Sequence, residues 1–183
     1  MVHQDKATIG KKVDWVNPLL WFSMEGMKKS VWLHNIRSAH NVGSIFRTAE
    51  GAGFDHVYLS GYTPLPIDRF GRKRSDLAKV SLGAEDSLSW SALEDPVKDI
   101  QALKETGAYL VCAEQDSRSI PLGNFNTPYD AKELILAVGE ETEGITGDIL
   151  DLADSIVEIP MLGEKESLNV SVAFGIAAYH ISQ

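Results

Sequence analysis

The sequence predicts an α/β domain with a mostly parallel sheet covered by helices on both faces. Three observations predict it. Short apolar runs alternate with helix-like patterns along the chain, which is the arrangement of a sheet built from strand–helix–strand units. One run, Leu134-Ile135-Leu136-Ala137-Val138, is apolar at every position, as a strand buried on both faces must be. The 183 residues, 44% of them hydrophobic, suffice for one domain with a sizeable core. Residues 1–30 are expected to form an N-terminal extension and 31–183 the domain itself.

The first strand is expected over 31–36, the second over 56–60. Between them Asn41 has the chemistry of a helix N-cap, and Val42, Ile45, Phe46 and Ala49 follow at i, i+3, i+4, i+7, the buried stripe of a helix. Further strands are expected over 108–113, 134–138 and 155–159. A final helix is expected to bury Leu168, Val172, Ile176 and Tyr179, with Ser167 and Asn169 capping its start.

Three junctions carry the polar residues. In the first, Arg37, Asn41 and Arg47 surround a strand-to-helix loop; Arg47 lies beside the apolar stripe, where its planar donor fork suits a phosphate or carboxylate. Taken alone, Asn41 is only a cap and Arg47 a solvated or Glu50-paired side chain. In the second, Gly139 and Gly144 bound an acidic turn containing Glu140, Glu141 and Glu143. It is neither a Walker loop nor a Gly-x-Gly-x-x-Gly fingerprint, and its carboxylates would repel a polyphosphate. A cationic or hydroxyl-rich ligand fits better. In the third, a strand end at Ile159-Pro160-Met161 leads to Ser167-Leu168-Asn169 and the last helix.

Together the three junctions resemble the SpoU-type (TrmH-type) branch of the SPOUT RNA methyltransferases. The match runs through Asn41-x-Gly43-x-x-x-Arg47-Thr48-Ala49, then Gly139-x-Glu141-x-x-Gly144, then Ile159-Pro160-Met161 to Ser167-Leu168-Asn169-Val170-Ser171-Val172-Ala173, with Lys79 to Glu85 as a further familiar segment. The resemblance implies a homodimer with a deep C-terminal trefoil knot (the SPOUT fold) that binds S-adenosyl-L-methionine as methyl donor, without a metal. The implied reaction methylates a ribose 2′-hydroxyl of tRNA or rRNA. By the same resemblance Arg47 is the catalytic arginine. Glu141 would orient the motif loop or nucleoside, and Asn41, Ser167 and Asn169 would complete the catalytic group. Ala113, Gly139, Gly144, Ile159, Met161, Ser167 and Leu168 would contact the cofactor. A literal base role for Arg47 conflicts with a guanidinium pKa above ~12. A protonated Arg47 gripping phosphate and stabilising a developing alkoxide is the cheaper chemistry.

The charge balance pulls the other way, since 17 Lys+Arg against 26 Asp+Glu leave a net −9, whereas nucleic-acid binders carry a basic face. The acids concentrate between Glu133 and Glu166, and a basic run, Arg69, Arg72, Lys73, Arg74 and Lys79, is expected together with Arg37 to meet RNA. Trp15, Leu19, Leu20, Trp21 and Phe22, near Lys28 and Lys29, are expected to pack on a sheet edge or a partner copy rather than stack on bases. The single Cys112 reads as core filler in a reducing cytoplasm. The histidines lack metal-ligand spacing, and no apolar run approaches membrane-spanning length. Two other readings compete: a non-catalytic RNA-binding or assembly protein on this fold, and a doubly wound nucleotide-binding oxidoreductase, which the missing glycine fingerprint disfavours.

Overall fold

The computed structural model describes residues 26–183. The aromatic segment from Trp15 to Phe22 lies outside them. Seven strands form one all-parallel sheet in the order β3-β2-β1-β6-β4-β7-β5. The elements run β1 (Lys28–His34), α1 (Ala39–Gly51), β2 (His56–Ser60), α2 (Ser75–Ser81), α3 (Ala84–Ser87), β3 (Ser89–Leu93), α4 (Pro96–Glu105), β4 (Ala108–Ala113), β5 (Ile120–Pro121), β6 (Glu133–Val138), α5 (Gly147–Leu150), β7 (Ser155–Glu158) and α6 (Val170–Ile181).

Alternation along the strands builds two cores. Val31, Leu33, Leu59, Leu134 and Leu136 face α1 and α6 and meet Phe46, Phe174 and Ala178. Trp32, Leu110, Cys112, Ile135 and Ala137 face the opposite side, against Ile100 of α4 and Ile149 and Leu150 of α5. Strand β6, at the centre, is buried at all six positions, as its unbroken apolar run requires. Burial pushes the Cys112 thiol up to about 12, so it is an inert core side chain.

Four expectations need correction. Strand β1 stops at His34 rather than residue 36 because Asn35 takes a left-handed conformation, φ 59°, which asparagine tolerates better than most residues. The cap of α1 is Ser38, whose hydroxyl accepts from the Asn41 amide; Asn41 lies inside the first turn, and its side chain is free for other work. Two strands, β3 and β5, escaped prediction. Both are edge strands: β3 is serine-rich and half-exposed, and β5 is two residues ending in a proline that an edge can accept.

The fourth correction is the largest. Leu168, Val172, Ile176 and Tyr179 are not buried but 37%, 49%, 44% and 53% exposed, and α6 instead buries Phe174, Ala177, Ala178 and Ile181. The helix is apolar on nearly every side, so periodicity alone could not say which stripe faced this core. Helices α1 and α6 lie side by side and run in the same direction, with Asn41 near Asn169, Thr48 against Gly175, and Gly51 beside Tyr179.

Candidate active site

The site lies at the carboxyl ends of β1, β4, β6 and β7, where ligands of open parallel sheets bind because the connecting loops diverge there. After β6 the chain turns sharply. Glu140 and Gly144 exchange backbone hydrogen bonds of 3.2 and 3.0 Å, closing a loop over 139–144. Both bounding glycines are sterically required. A Cβ on Gly139 would strike the backbone of Gly144, and Gly144 has φ +70° with Glu114 Oε2 where its Cβ would lie. The Glu114 carboxylate accepts from the amides of Ile145 (2.8 Å) and Gln115 (2.9 Å), fastening this turn to the end of β4.

Glu141 then reaches across to the first junction. It accepts from Asn41 Nδ2 at 2.8 Å and from the Arg37 amide at 3.4 Å. Asn41 Oδ1 in turn accepts from Asn169 Nδ2 at 3.2 Å, and Asn169 Oδ1 accepts from the amide and hydroxyl of Ser171, capping α6. One hydrogen-bonded line therefore joins all three junctions of the sequence. Burial pushes the Glu141 carboxyl up, but the bonds from Asn41 and the backbone amides outweigh it and hold the group below the ordinary glutamate value. Beside it, Arg37 Nη2 pairs with the buried Glu140 at 2.6 Å.

Behind this line is a cavity of about 400 Å³. Leu122, Val138, Val157, Ala173 and Ala177 give it an apolar floor, and Glu114, Glu140, Glu141, Glu143, Glu158 and Glu166 give it an acidic rim. Gln115 Nε2 donates to the Glu166 carbonyl at 2.6 Å, tying the stretch before α6 over the mouth. Ala113, Gly139, Gly144, Ile159, Met161, Ser167 and Leu168 all line this cavity. Arg47 does not; it stands exposed on α1, next to the Thr48–Gly175 contact, and makes no ion pair among the described residues. Glu114 and Gln115 were not singled out from the sequence, because the loop after β4 carries no motif and gains its role only by facing Gly144 and Glu166.

The first junction has its own buried support. Asn35 Nδ2 donates to His34 Nε2 at 2.9 Å, so the ring proton sits on Nδ1 and is given to Ser60 Oγ at 2.7 Å, which also accepts from Trp32 Nε1. Burial holds His34 below the ordinary histidine value despite a small opposing influence from Asp148. The basic run is mostly engaged within the protein: Arg72 pairs with Asp68 (2.8 Å), Lys73 with Glu85 (2.6 Å) and Asp86 (2.5 Å), and Arg74 with Asp76 (2.7 Å). Arg69 and Lys79 make no such pair among the described residues. Lys28 is likewise held by Glu133 at 2.9 Å and Lys29 by Ser182 Oγ at 3.1 Å. No group of three His, Cys, Asp or Glu side chains suited to a metal occurs among the described residues.

A parallel sheet whose loops build a glycine-turned, acid-rimmed cavity at the strand ends defines an α/β protein with a ligand-sized cavity where such sheets bind their ligands. Residues 28–179 match the model of the SpoU rRNA Methylase family, and the chain belongs to that family. A Staphylococcus haemolyticus protein named for the TrmH family of tRNA/rRNA methyltransferases is 31% identical over 157 residues, 86% of this chain and 59% of its own length. The tRNA (guanosine(18)-2′-O)-methyltransferase of Aquifex aeolicus is 29% identical over 81% of this chain and 66% of its own. Among solved structures, the AdoMet-bound rRNA methyltransferase of Sinorhizobium meliloti shares the fold with a TM-score of 0.74 at 24% identity, over 84% of this chain and 55% of that one. The chain thus spans about three-fifths of the length of the first of these relatives.

Two outcomes test this geometry. Gly144→Ala is expected to destabilise the protein by about 2 kcal/mol, from left-handed strain and the collision with Glu114. In a Glu114→Ala background the further loss should be smaller, and urea unfolding of the four proteins measures the difference. Because the folded state holds His34 below its unfolded value of 6.5, the unfolded chain takes up protons first as pH falls. Stability should therefore drop from pH 7 toward pH 5, and His34→Gln should flatten that drop in urea titrations.

Proposed function

We propose that this chain is an S-adenosyl-L-methionine-dependent RNA methyltransferase acting on a ribose 2′-hydroxyl of tRNA or rRNA. The observation that carries the reading is the Glu141–Asn41–Asn169 line, which unites the family's three polar motifs at the mouth of one cavity. The cavity suits the donor: an apolar floor for an adenosyl group, exposed backbone at a glycine turn, and carboxylates complementary to a sulfonium and an ammonium. When bound, that donor supplies an electrophilic methyl group.

The chain's own residues supply position and charge. Gly139, Ile159, Met161 and Leu168 would hold the adenosyl moiety with Ala113 and Gly144, while Ser167 and Asn169 would orient the sugar. Arg47 stays protonated; its fork would grip the phosphate next to the target ribose and stabilise the oxygen as it loses its proton to solvent or a substrate group. Arg37, Arg69, Arg72, Lys73, Arg74 and Lys79 would face RNA, the paired ones by exchanging a carboxylate for a phosphate.

The exposed apolar stripe of α6 supports a homodimer, since Val172, Ile176 and Tyr179 lie together in water unless a second copy covers them. Arg47, beside the α1–α6 seam, would then serve the partner's cavity. The reading also takes the chain from β1 at Lys28 onward as the catalytic domain, three residues earlier than the expected bound of 31, with the residues before it as an extension, the segment from β7 to α6 as the knotted part, and the cytoplasm as its place. Among the described residues no helix is long and apolar enough to cross a membrane.

Incubation with methyl-labelled S-adenosyl-L-methionine and total RNA from a strain lacking the gene should label 2′-O-methyl nucleosides. Arg47→Ala should lower the rate about 10²–10³-fold. Cofactor binding with no label in any RNA class would overturn the reading. Ile176→Asp should yield monomers in sedimentation at micromolar concentration; an unchanged dimer would exclude α6 from the interface.

A further inference from the structure

The loop between β2 and α2 presents two aromatic rings to solvent: Tyr62 is 53% and Phe70 65% exposed, and both line one shallow depression with Pro64, Ile67 and Arg69. A single exposed ring is ordinary, but two in one depression make a contiguous apolar patch, the kind of surface that marks an interaction site. The tip that carries Phe70 is tied by its own hydrogen bonds. Asp68 accepts from the amides of Phe70 (2.8 Å) and Arg72 (3.0 Å), Gly71 turns with φ +74°, and Ile67 bridges Lys73. The guanidiniums of Arg69 and Arg72 lie 4.8 and 5.0 Å from the Phe70 ring centre, and Arg37 lies 5.8 Å from that of Tyr62.

The depression adjoins the candidate site through the backbone. The Tyr62 amide donates to Asn35 Oδ1 at 3.3 Å, Thr63 Oγ1 accepts from the Ile36 amide at 3.1 Å, and Arg37, over the Tyr62 ring, is fastened to Glu140 and Glu141. Most of the loop's cations are matched by carboxylates, so charge alone gives a weak hold. Rings whose faces carry guanidiniums suit a different partner, a nucleobase with its phosphate: the base takes an arginine's place over the ring while the displaced guanidinium turns to the phosphate.

Resting on the RNA-methyltransferase reading, we propose that Phe70 and Tyr62 form a stacking platform for an unpaired base flanking the target nucleotide. The protein thereby selects unpaired over duplex RNA. The platform is formed before RNA arrives, so little ordering entropy opposes binding.

The test uses the full-length protein and fluorescein-labelled oligoadenylate, single-stranded or annealed to oligouridylate, read by anisotropy. The single strand should bind tighter than the duplex. Phe70→Leu, which keeps an apolar side chain but no ring, should weaken single-strand binding about tenfold and leave the salt dependence of binding unchanged, whereas Phe70→Trp should retain it. Arg69→Ala should instead reduce the salt slope. Equal affinity of Phe70→Leu and the parent would overturn the proposal, as would a loss of dimer without a loss of RNA affinity, which would assign the platform to a second copy. Methylation of total RNA by the parent protein reports separately on the enzymatic reading. Label with no Phe70 dependence would sink the platform alone, and no label would sink the activity alone.

Discussion

The Glu141 carboxylate is the point through which the site is assembled. It protrudes from a turn after the central strand, accepts from Asn41 on α1 and from the Arg37 amide, and reaches α6 through Asn41 and Asn169. Three segments separated by about a hundred and by nearly thirty residues are thereby fixed with respect to one another. The bond can form only because Gly139 and Gly144 allow the turn to close tightly, and because Ser38 caps α1 so that the Asn41 side chain is not consumed locally. Glu141 is exposed and water competes for the bond, so its net contribution to stability is about 1 kcal/mol or less, and its importance is geometric.

Much of the fold was legible because its signals are local. The unbroken apolar run of β6 announces a strand buried on both faces, and the Val42, Ile45, Phe46, Ala49 spacing marks the inner face of α1. What was illegible depends on neighbours. Strand β3 owes its existence to pairing with β2, and β5 to pairing with β7, since neither has the composition of a strand. In α6, nearly all residues are apolar, and only the arrangement of α1 and the sheet decides that Phe174 turns inward and Ile176 outward. The site divides in the same way: its glycines, asparagines and Glu141 stood out by motif, whereas Glu114 and Gln115 acquire a role only because the end of β4 lies beside the β6 turn.

The acidic balance of the chain also has a spatial answer. Six glutamates surround the cavity, and Asp68, Asp76, Glu85 and Asp86 neutralise the cations of the β2–α2 loop. The acids thus rim the cavity on one side and hold basic side chains in fixed places on the other. Net charge reports neither arrangement. A phosphate approaching the loop meets ion pairs whose geometry is already set, which favours exchange of partners over simple attraction.

The order in which the elements occur along the chain gives α6 an unusual part in biosynthesis. All seven strands precede it, yet Asn169 and the residues just before it close the line that begins at Asn41 and complete the wall of the cavity. A nascent chain could pair its strands while still lacking the last wall of the cavity, the α6 side of β6 and the cover for Phe46 and Phe54. The wall of the cavity is therefore complete only once contacts spanning most of the chain, Asn41 with Asn169 and Lys29 with Ser182, have formed.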